Sequence, residues 1–209
     1  MNFSSCVARL HNAFEKNLPG HEAHLLMSPA HRLATPVYLE QNPSYKTSCV
    51  MLLLYPAKDE QTHLIMIERA EGNSTHSGQI SFPGGRREMD DATLLDVALR
   101  ETYEEIGVDP STIKSLGQLT ELYIPVSNFL VHPFVGIIDR LPGFIPSPSE
   151  VKKILTPPLH LFLKLEKPLT HHFKSYDGRT IHAPYYSFEE YKIWGASAMM
   201  INELCALLK

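Results

Sequence analysis

Apolar positions in this chain follow two different periods, which predict an alternation of buried strands and amphipathic helices. Continuous apolar runs predict buried strands at 47–55 and 63–69. Further strands are predicted at 79–82, 116–124, 129–140 and 191–194, with a hairpin of 169–175 and 180–188 around Asp177-Gly178. Helices are predicted at 3–18, 150–155 and 196–208, with a short helical turn near 21–27. Strands mixed with two long helices indicate an α/β fold in α/β/α layers.

The segment between Asp90 and Gly107 is predicted to form a helix with marked ends. Asp90, Asp91 and Thr93 offer N-cap side chains before an apolar run. Gly107 stands where a left-handed residue ends a helix, and Pro110 follows. At about 100° per residue, one arc is apolar and is predicted to face the core. That stripe consists of Leu95, Ala98, Leu99, Thr102 and Ile106.

The same helix carries three glutamates on a separate face. Glu101 is spaced i,i+4 from Glu105 and i,i+3 from Glu104, so like charges oppose the helix by roughly 0.2–0.5 kcal/mol per pair. A helix that needed only solubility would mix in lysines, whereas carboxylates grouped on one face suit a hard divalent cation. Arg100 lies one turn before Glu104 and is expected to pair with it. The pattern predicts a metal site on this face.

A strand, a Gly84-Gly85 turn, an acidic loop and an acidic helix follow one another here. With Arg100-Glu101-x-x-Glu104-Glu105-x-Gly107, this order resembles the Nudix box of the Nudix hydrolases. The acidic loop is one residue longer than the common pattern, so no role carries over to Asp91. The resemblance implies a mixed central sheet between helical layers, and hydrolysis of a phosphoanhydride bond.

Four segments resemble the coenzyme A pyrophosphatase subgroup of that family. They are 76–85 with Arg69 upstream, 127–133, Glu150-Val151 followed by Pro158-Leu159, and 193–198. The resemblance implies cleavage of coenzyme A to 4′-phosphopantetheine and adenosine 3′,5′-bisphosphate. Where the subgroup often has a basic residue, this chain has Asn73-Ser74. We therefore expect a weaker preference for coenzyme A over dephospho-coenzyme A than the subgroup implies.

The resemblance also assigns roles to residues. Bound Mg²⁺ or Mn²⁺ would neutralise phosphate oxygens and lower the pKa of a water molecule. The implied metal ligands are Glu101, Glu104 and Glu105. The implied catalytic residues are Glu101, as base or bridging ligand, Glu104, and Arg100, which would orient the carboxylates. Glu150 is a candidate auxiliary base. The implied substrate-binding residues are Arg69, His76, Gln79, Gly84, Gly85 and Arg86. For His76 and Gln79, capping of the loop is the alternative to ligand contact.

The chain has 209 residues and a formal net charge of −4. This length fits an N-terminal helix and irregular arm at 1–45 and a Nudix hydrolase domain at 46–209. The charge argues against nucleic acid as a partner, so a small nucleotide-type substrate would need local cations and metal ions. The sequence has no run of 18 apolar residues and only three separated cysteines, so we expect a cytoplasmic location without a membrane partner.

Two other functions and two roles of the N-terminal helix stay open. The enzyme alternative is a Nudix pyrophosphatase for another nucleoside diphosphate derivative, such as ADP-ribose, NADH or a dinucleotide polyphosphate. The other is a Nudix-like domain that binds a ligand without catalysis, although such domains usually lose glutamates of the box. The N-terminal helix is expected to pack on the domain body, and the alternative is a contact within a homodimer.

Overall fold

The computed structural model describes residues 1–30, 32–41, 43–72, 76–164, 168–174 and 178–209. Its helices are α1 (Phe3–Phe14), α2 (Gly20–Leu26), α3 (Thr35–Gln41), α4 (Leu94–Ile106), α5 (His160–Leu163) and α6 (Gly195–Leu207). Its strands are β1 (Lys46–Pro56), β2 (Thr62–Arg69), β3 (Ile80–Ser81), β4 (Gly84–Arg86), β5 (Lys114–Gln118), β6 (Leu122–Ile124), β7 (Phe129–Ile137), β8 (Val151–Leu155), β9 (Leu169–Lys174), β10 (Thr180–Phe188) and β11 (Tyr191–Trp194). No helix within these ranges is long and apolar enough to cross a membrane.

The central sheet has eight strands and contains both parallel and antiparallel pairs. Its main path runs β3-β2-β1-β7-β5, with β4 beside β1, β6 beside β7 and β8 beside β2. Strand β1 runs parallel to β7 but antiparallel to β2 and β4. A second, antiparallel sheet of three strands, β11-β10-β9, packs beside α6. The predicted mixed sheet is confirmed.

Helices cover both faces of the central sheet, which confirms the α/β/α layering. Helix α4 packs on the face that contains Met51 and Leu53 of β1. Helices α1 and α6 pack on the opposite face, which contains Leu52 and Leu54. This division follows from the period of two along a strand, because neighbouring side chains point to opposite faces. From Met51 to Tyr55, strand β1 is apolar because both of its faces are buried there.

The glycine turn lies inside the sheet, at the point where β1 and β2 separate. Strand β3 pairs with the end of β2 and β4 pairs with the start of β1, so the segment 80–86 runs between the two. Gly84 has a φ of 154°, and a Cβ added to it would lie 2.3 Å from the carbonyl oxygen of Cys49. A side chain cannot be accommodated there because the obstacle is backbone. The sequence predicted the turn but not the strand β4.

The prediction of a helix at 150–155 is wrong. Residues Val151–Leu155 form strand β8, which pairs antiparallel with the second half of β2. The spacing of Val151, Ile154 and Leu155 suits either a helix or a strand, so the local pattern does not decide between them. The backbone of β2, more than eighty residues earlier in the chain, provides the hydrogen-bond partners that select the strand.

Other local predictions are confirmed or need small corrections. The predicted strand at 116–124 is divided into β5 and β6, and the arm predicted to be irregular contains α3 as well as the expected turn, α2. The hairpin of β9 and β10 is confirmed, although Asp177 of its predicted turn lies outside the described residues. The closing helix and the strand before it lie within one residue of their predicted bounds.

Helix α4 begins and ends as its sequence predicts. The Thr93 side chain accepts a hydrogen bond from the backbone N–H of Asp96, and the Asp96 carboxylate accepts one from the N–H of Thr93. This reciprocal pair is a capping box, which satisfies two of the N–H groups left unpaired at a helix start. At the other end, Gly107 has a φ of 73° and closes the helix in the left-handed conformation.

The predicted apolar stripe of α4 is only partly buried. Ala98, Thr102 and Ile106 are buried, whereas Leu95 and Leu99 are partly exposed. Val97 and Glu105 are buried in addition, although Glu105 had been assigned to the acidic face. The helix packs against β4 as well as β1, and this contact turns its buried side toward the glycine segment. The core face and the acidic face of the helix therefore overlap at Glu105.

A buried carboxylate joins the N-terminal arm to the C-terminal helix. Glu203 of α6 accepts hydrogen bonds from the N–H of Gly20, and from the N–H and hydroxyl of Thr120. Its other oxygen lies 2.8 Å from Nε2 of His24 in α2. Burial raises the pKa of Glu203, but the hydrogen bonds from His24 and Thr120 outweigh burial and hold this pKa below its ordinary value. Two segments far apart in sequence thus depend on one carboxylate.

We predict that Glu203→Ala lowers the free energy of unfolding by about 3 kcal/mol, because the buried His24 and the partly buried donors of Gly20 and Thr120 lose their acceptor. The pKa of Glu203 is depressed in the folded state, so its stabilisation is present above the ordinary value of 4.5 and is lost as the pH falls below it. Urea unfolding of both proteins at several pH values checks this. The difference in unfolding free energy between wild type and Glu203→Ala should shrink in acid. The control is Glu40→Gln, which changes an exposed carboxylate and should leave the unfolding free energy nearly unchanged. Equal stability of the two proteins at pH 7 would contradict the assignment.

Candidate active site

Glu105 lies at the bottom of the site and is fully buried. One carboxylate oxygen accepts a hydrogen bond of 2.8 Å from the N–H of Gly84, and the other lies 3.2 Å from Nη1 of Arg69. Burial raises the pKa of Glu105 to about 7, although Arg69 and the Gly84 N–H favour the charged form. The two protein partners therefore compensate its negative charge only in part.

Glu101 lies one helical turn before Glu105 and rests against the glycine segment. A Cβ added to Gly85 would lie 2.4 Å from the carboxyl carbon of Glu101, so the missing side chain makes room for this carboxylate. Nη1 of Arg100 donates to Glu101 at 3.0 Å. Burial raises the pKa of Glu101, and the hydrogen bond from Arg100 opposes this shift. Glu101 is thus half-buried, oriented and incompletely neutralised.

Glu150 completes a group of three carboxylates. One oxygen each of Glu101, Glu105 and Glu150 lie within 4.8 Å of one another. Glu150 is exposed, and its backbone carbonyl accepts a hydrogen bond of 2.8 Å from the N–H of Ala70. Glu104 lies outside this group, is about half exposed and pairs with Arg100. The structure therefore brings together two of the three predicted helix glutamates and the predicted auxiliary base.

Arg100 connects the acidic loop to the helix. Its Nε and Nη2 atoms donate to the two oxygens of Asp91, each at 3.0 Å, and its Nη1 atom also reaches Glu104, which confirms the predicted i,i+4 pair. Hydrogen bonds from Arg100 hold the pKa of Asp91 below its usual range. The N–H of Glu88 donates to the same carboxylate at 2.7 Å. This role of Asp91 does not follow from the sequence, because the length of the loop places Asp91 out of register with the family pattern.

The remaining predicted residues surround the carboxylates at different depths. Arg69 and the two glycines contact the carboxylate group directly, as described above. Arg86 is exposed at the rim, where its carbonyl accepts a hydrogen bond from Nη2 of Arg100. His76 bonds to Gln79 and to Ser127 at 3.1 Å each. Ser127, which belongs to the segment 127–133, is therefore a further residue of this region.

The three carboxylates fit a divalent metal ion. Their donor atoms are all oxygen, which Mg²⁺ and Mn²⁺ prefer, and one oxygen of each lies within 4.8 Å of the others. Burial raises the pKa of both Glu101 and Glu105, which indicates that the surrounding protein leaves part of their negative charge uncompensated. A cation between them would supply the missing charge. Glu101, Glu105 and Glu150 are therefore the residues that could hold such an ion.

Comparisons with known proteins point to the same chemistry. The NUDIX domain profile matches residues 46–176. Nudix hydrolase 15, mitochondrial, of Arabidopsis thaliana is 33% identical over 159 residues, which cover 73% of this chain and 55% of that protein. An uncharacterized Nudix hydrolase, NudL, of Enterobacter sp. (strain 638) is 34% identical over 155 residues, which cover 73% of this chain and 79% of that protein. This chain thus spans about half the length of the plant relative.

A solved structure agrees at the level of the fold. A MutT/nudix family protein from Enterococcus faecalis matches with a TM-score of 0.53 and 17% identity, covering 88% of this chain and 71% of that one. The extent of the profile match, together with the site described above, shows that this chain belongs to the Nudix family. Nudix hydrolases generally cleave pyrophosphate bonds in nucleoside diphosphate derivatives and need divalent metal ions. The resemblance found in the sequence is confirmed for the family, and the subgroup stays a prediction.

We predict that Gly85→Ala lowers the rate of the hydrolysis expected for the family by about 10²-fold with little loss of stability. The new methyl group would meet the end of the flexible Glu101 side chain, which moves at low cost, instead of the backbone. A displacement of about 1 Å in a reacting group can lower the rate by about 10²-fold. Turnover and thermal unfolding should be measured together, with Gly143→Ala as the matched control because no atom lies within 4 Å of its added Cβ. Wild-type turnover in Gly85→Ala would mean that the position of Glu101 does not matter.

Proposed function

We propose that this protein is a divalent-metal-dependent hydrolase that cleaves the pyrophosphate bond of coenzyme A. The observation that carries the proposal is the convergence of Glu101, Glu105 and Glu150 beside the glycine segment. The products would be 4′-phosphopantetheine and adenosine 3′,5′-bisphosphate, with one water molecule consumed. The first part of the proposal, hydrolysis of a phosphoanhydride bond, rests on the carboxylate group and the family. The second part, the substrate, rests on the arrangement of four sequence segments.

Glu101 and Glu105 are proposed to hold Mg²⁺ or Mn²⁺. When bound, the ion would neutralise phosphate oxygens and make a water molecule more acidic. Glu105 is anchored by the Gly84 N–H and by Arg69, so its carboxylate has a defined position before any ligand arrives. Arg100 orients Glu101 in the same way. Such anchoring matters because residues that orient metal ligands strongly influence metal affinity.

Glu150 is proposed to accept the proton of the attacking water. It is exposed, so water reaches its carboxylate, and one of its oxygens lies within 4.8 Å of an oxygen of each proposed ligand. A positioned general base contributes typically about 10²–10⁴-fold to a rate. Glu101, which the family resemblance suggested as the base, is held by Arg100 against Gly85, and this fixed position suits a ligand. Glu104 receives no direct role, because it pairs with Arg100 outside the group.

The choice of coenzyme A is supported by contacts between the segments that resemble the subgroup. His76 of the first segment bonds to Ser127 of the second. Ser197 of the fourth segment donates to the carbonyl of Ile80 in the first, at 2.9 Å. Glu150 of the third segment belongs to the carboxylate group. These contacts link the first segment to the second and to the fourth, and they support the proposal that segments dispersed in sequence act together.

Recognition of the substrate phosphates needs cations near the carboxylates. The net charge of the chain is −4, so a phosphate ester is attracted only by local basic groups and the metal ion. Arg86 is exposed at the rim of the site, and we propose that it contacts a phosphate group of the substrate. Arg69 is already paired with Glu105, which favours a positioning role for it. Asn73 and Ser74, at the place of the usual basic residue, lie outside the described residues.

We predict that three glutamate-to-glutamine variants separate the proposed roles. Glu101→Gln should weaken Mn²⁺ binding and lower kcat by about 10²-fold or more, whereas Glu150→Gln should lower kcat to a similar extent and keep Mn²⁺ affinity. Glu104→Gln is the control, since an exposed ion pair is worth at most about 1 kcal/mol. Calorimetric Mn²⁺ titration and initial rates check this. If Glu104→Gln is as damaging as Glu101→Gln, the ligands lie along the helix face, as the sequence pattern predicted.

We predict that coenzyme A is cleaved with a higher kcat/KM than ADP-ribose or NADH, and with only a small advantage over dephospho-coenzyme A. Tight discrimination of a 3′-phosphate requires a charge-assisted bond, and the usual basic residue is missing from the sequence. The measurement is kcat/KM for all four compounds in one Mn²⁺ buffer, with products identified by mass. A preference for ADP-ribose of about tenfold or more would reject the subgroup and leave the Nudix assignment intact.

A further inference from the structure

His76 uses both nitrogens of its ring to connect two loops. Nδ1 lies 3.1 Å from the side-chain oxygen of Gln79, and Nε2 lies 3.1 Å from the hydroxyl of Ser127. With an oxygen facing Nδ1, that nitrogen carries the hydrogen, and Nε2 accepts from Ser127. Burial lowers the pKa of His76, as does the nearby Arg69, and both effects favour this neutral form. Neither ring nitrogen is left to contact a substrate.

The segment that His76 anchors supports the carboxylate group at two points. The carbonyl of Gln79 accepts a hydrogen bond from the N–H of Arg69 at 3.1 Å, and the guanidinium of Arg69 contacts Glu105. The next residue, Ala70, donates its N–H to the carbonyl of Glu150 at 2.8 Å. The end of β2 therefore holds one proposed metal ligand through a side chain and the proposed base through backbone.

We propose that His76 is a positioning residue, which ties the segment 76–79 to the loop 125–128 and thereby fixes Arg69 and Glu150 around Glu105. The inference rests on the proposed metal-dependent hydrolysis and adds a role that the carboxylates alone do not reveal. Without the hydrogen bond between His76 and Ser127, the segment 76–79 loses its side-chain contact with the loop 125–128. Arg69 would then hold Glu105 less firmly, and Mn²⁺ affinity would fall.

A direct contact between His76 and the substrate is the competing role. It would predict a raised KM for substrate, with Mn²⁺ affinity unchanged in the absence of substrate. A positioning role predicts the opposite pattern, with weaker Mn²⁺ binding and lower kcat and little change in KM. The two roles therefore differ in a measurement that needs no substrate, which also separates this inference from the identity of the substrate.

The test is calorimetric titration of Mn²⁺ into the substrate-free protein. Four variants are compared with the wild type: His76→Phe, Ser127→Ala, the double variant and His76→Gln, which keeps one donor and one acceptor. We expect His76→Phe and Ser127→Ala each to weaken Mn²⁺ binding by about 10- to 100-fold, as loss of a residue behind a metal ligand typically does. The double variant should be no weaker than the worse single one, because both remove the same connection. His76→Gln should recover part of the affinity.

The matched control is His63→Phe, at the other end of β2. His63 is also partly buried and bonds through Nδ1 to the carbonyl of Thr156 at 2.8 Å, so its loss should change stability without changing Mn²⁺ affinity. Wild-type Mn²⁺ affinity in Ser127→Ala, or fully additive losses in the double variant, would overturn the inference. Should His76→Phe fail to fold, Ser127→Ala carries the same test. A wild type that binds no Mn²⁺ would overturn the proposed function, and this inference with it.

Discussion

The burial of the Glu105 carboxylate is the constraint on which the site depends. A buried carboxylate is tolerated only with hydrogen-bond partners, and here these are the N–H of Gly84 and the guanidinium of Arg69. Gly84 reaches Glu105 only because it lies against the backbone of β1, where any side chain would clash with Cys49. Arg69 reaches it because β2 ends beside β3. The sheet, the glycine segment and helix α4 must therefore form together before Glu105 is satisfied.

A second group of charges surrounds that buried pair and orders the acidic loop. Arg100 binds both oxygens of Asp91 and still donates to Glu101 and Glu104. Such a bidentate guanidinium–carboxylate pair restricts the relative orientation of the two side chains more than a single hydrogen bond does. The loop between β4 and α4 has little secondary structure of its own, and this ion pair, with the N–H of Glu88, restrains it. The extra residue of the loop is accommodated because a carboxylate still reaches Arg100.

The site is thus built from two kinds of support that act at different distances. Gly84 and Arg69 contact Glu105 directly, whereas His76 connects Gln79 to Ser127 further from the carboxylates. The far side of the sheet is organised in a similar way, since Glu203 joins α2 and the β5–β6 connection to α6. In both regions a few buried polar groups connect segments that are distant in sequence. Such connections restrict the arrangement because each unpaired partner would be costly.

The sequence by itself determined the features that depend on neighbouring residues. The caps of α4, the left-handed Gly107, the Arg100–Glu104 pair and the buried strands all follow from spacing within one or two turns or along one strand. The Nudix family was also recognisable, because its motif is local. Only the tertiary structure decided that 151–155 form a strand and that Asp91 pairs with Arg100. It also decided that Glu150, and not Glu104, completes the group of three carboxylates. Helical phase tells which way a side chain points from its own axis. Which segment lies opposite that side chain depends on the packing of parts of the chain that are far apart in sequence.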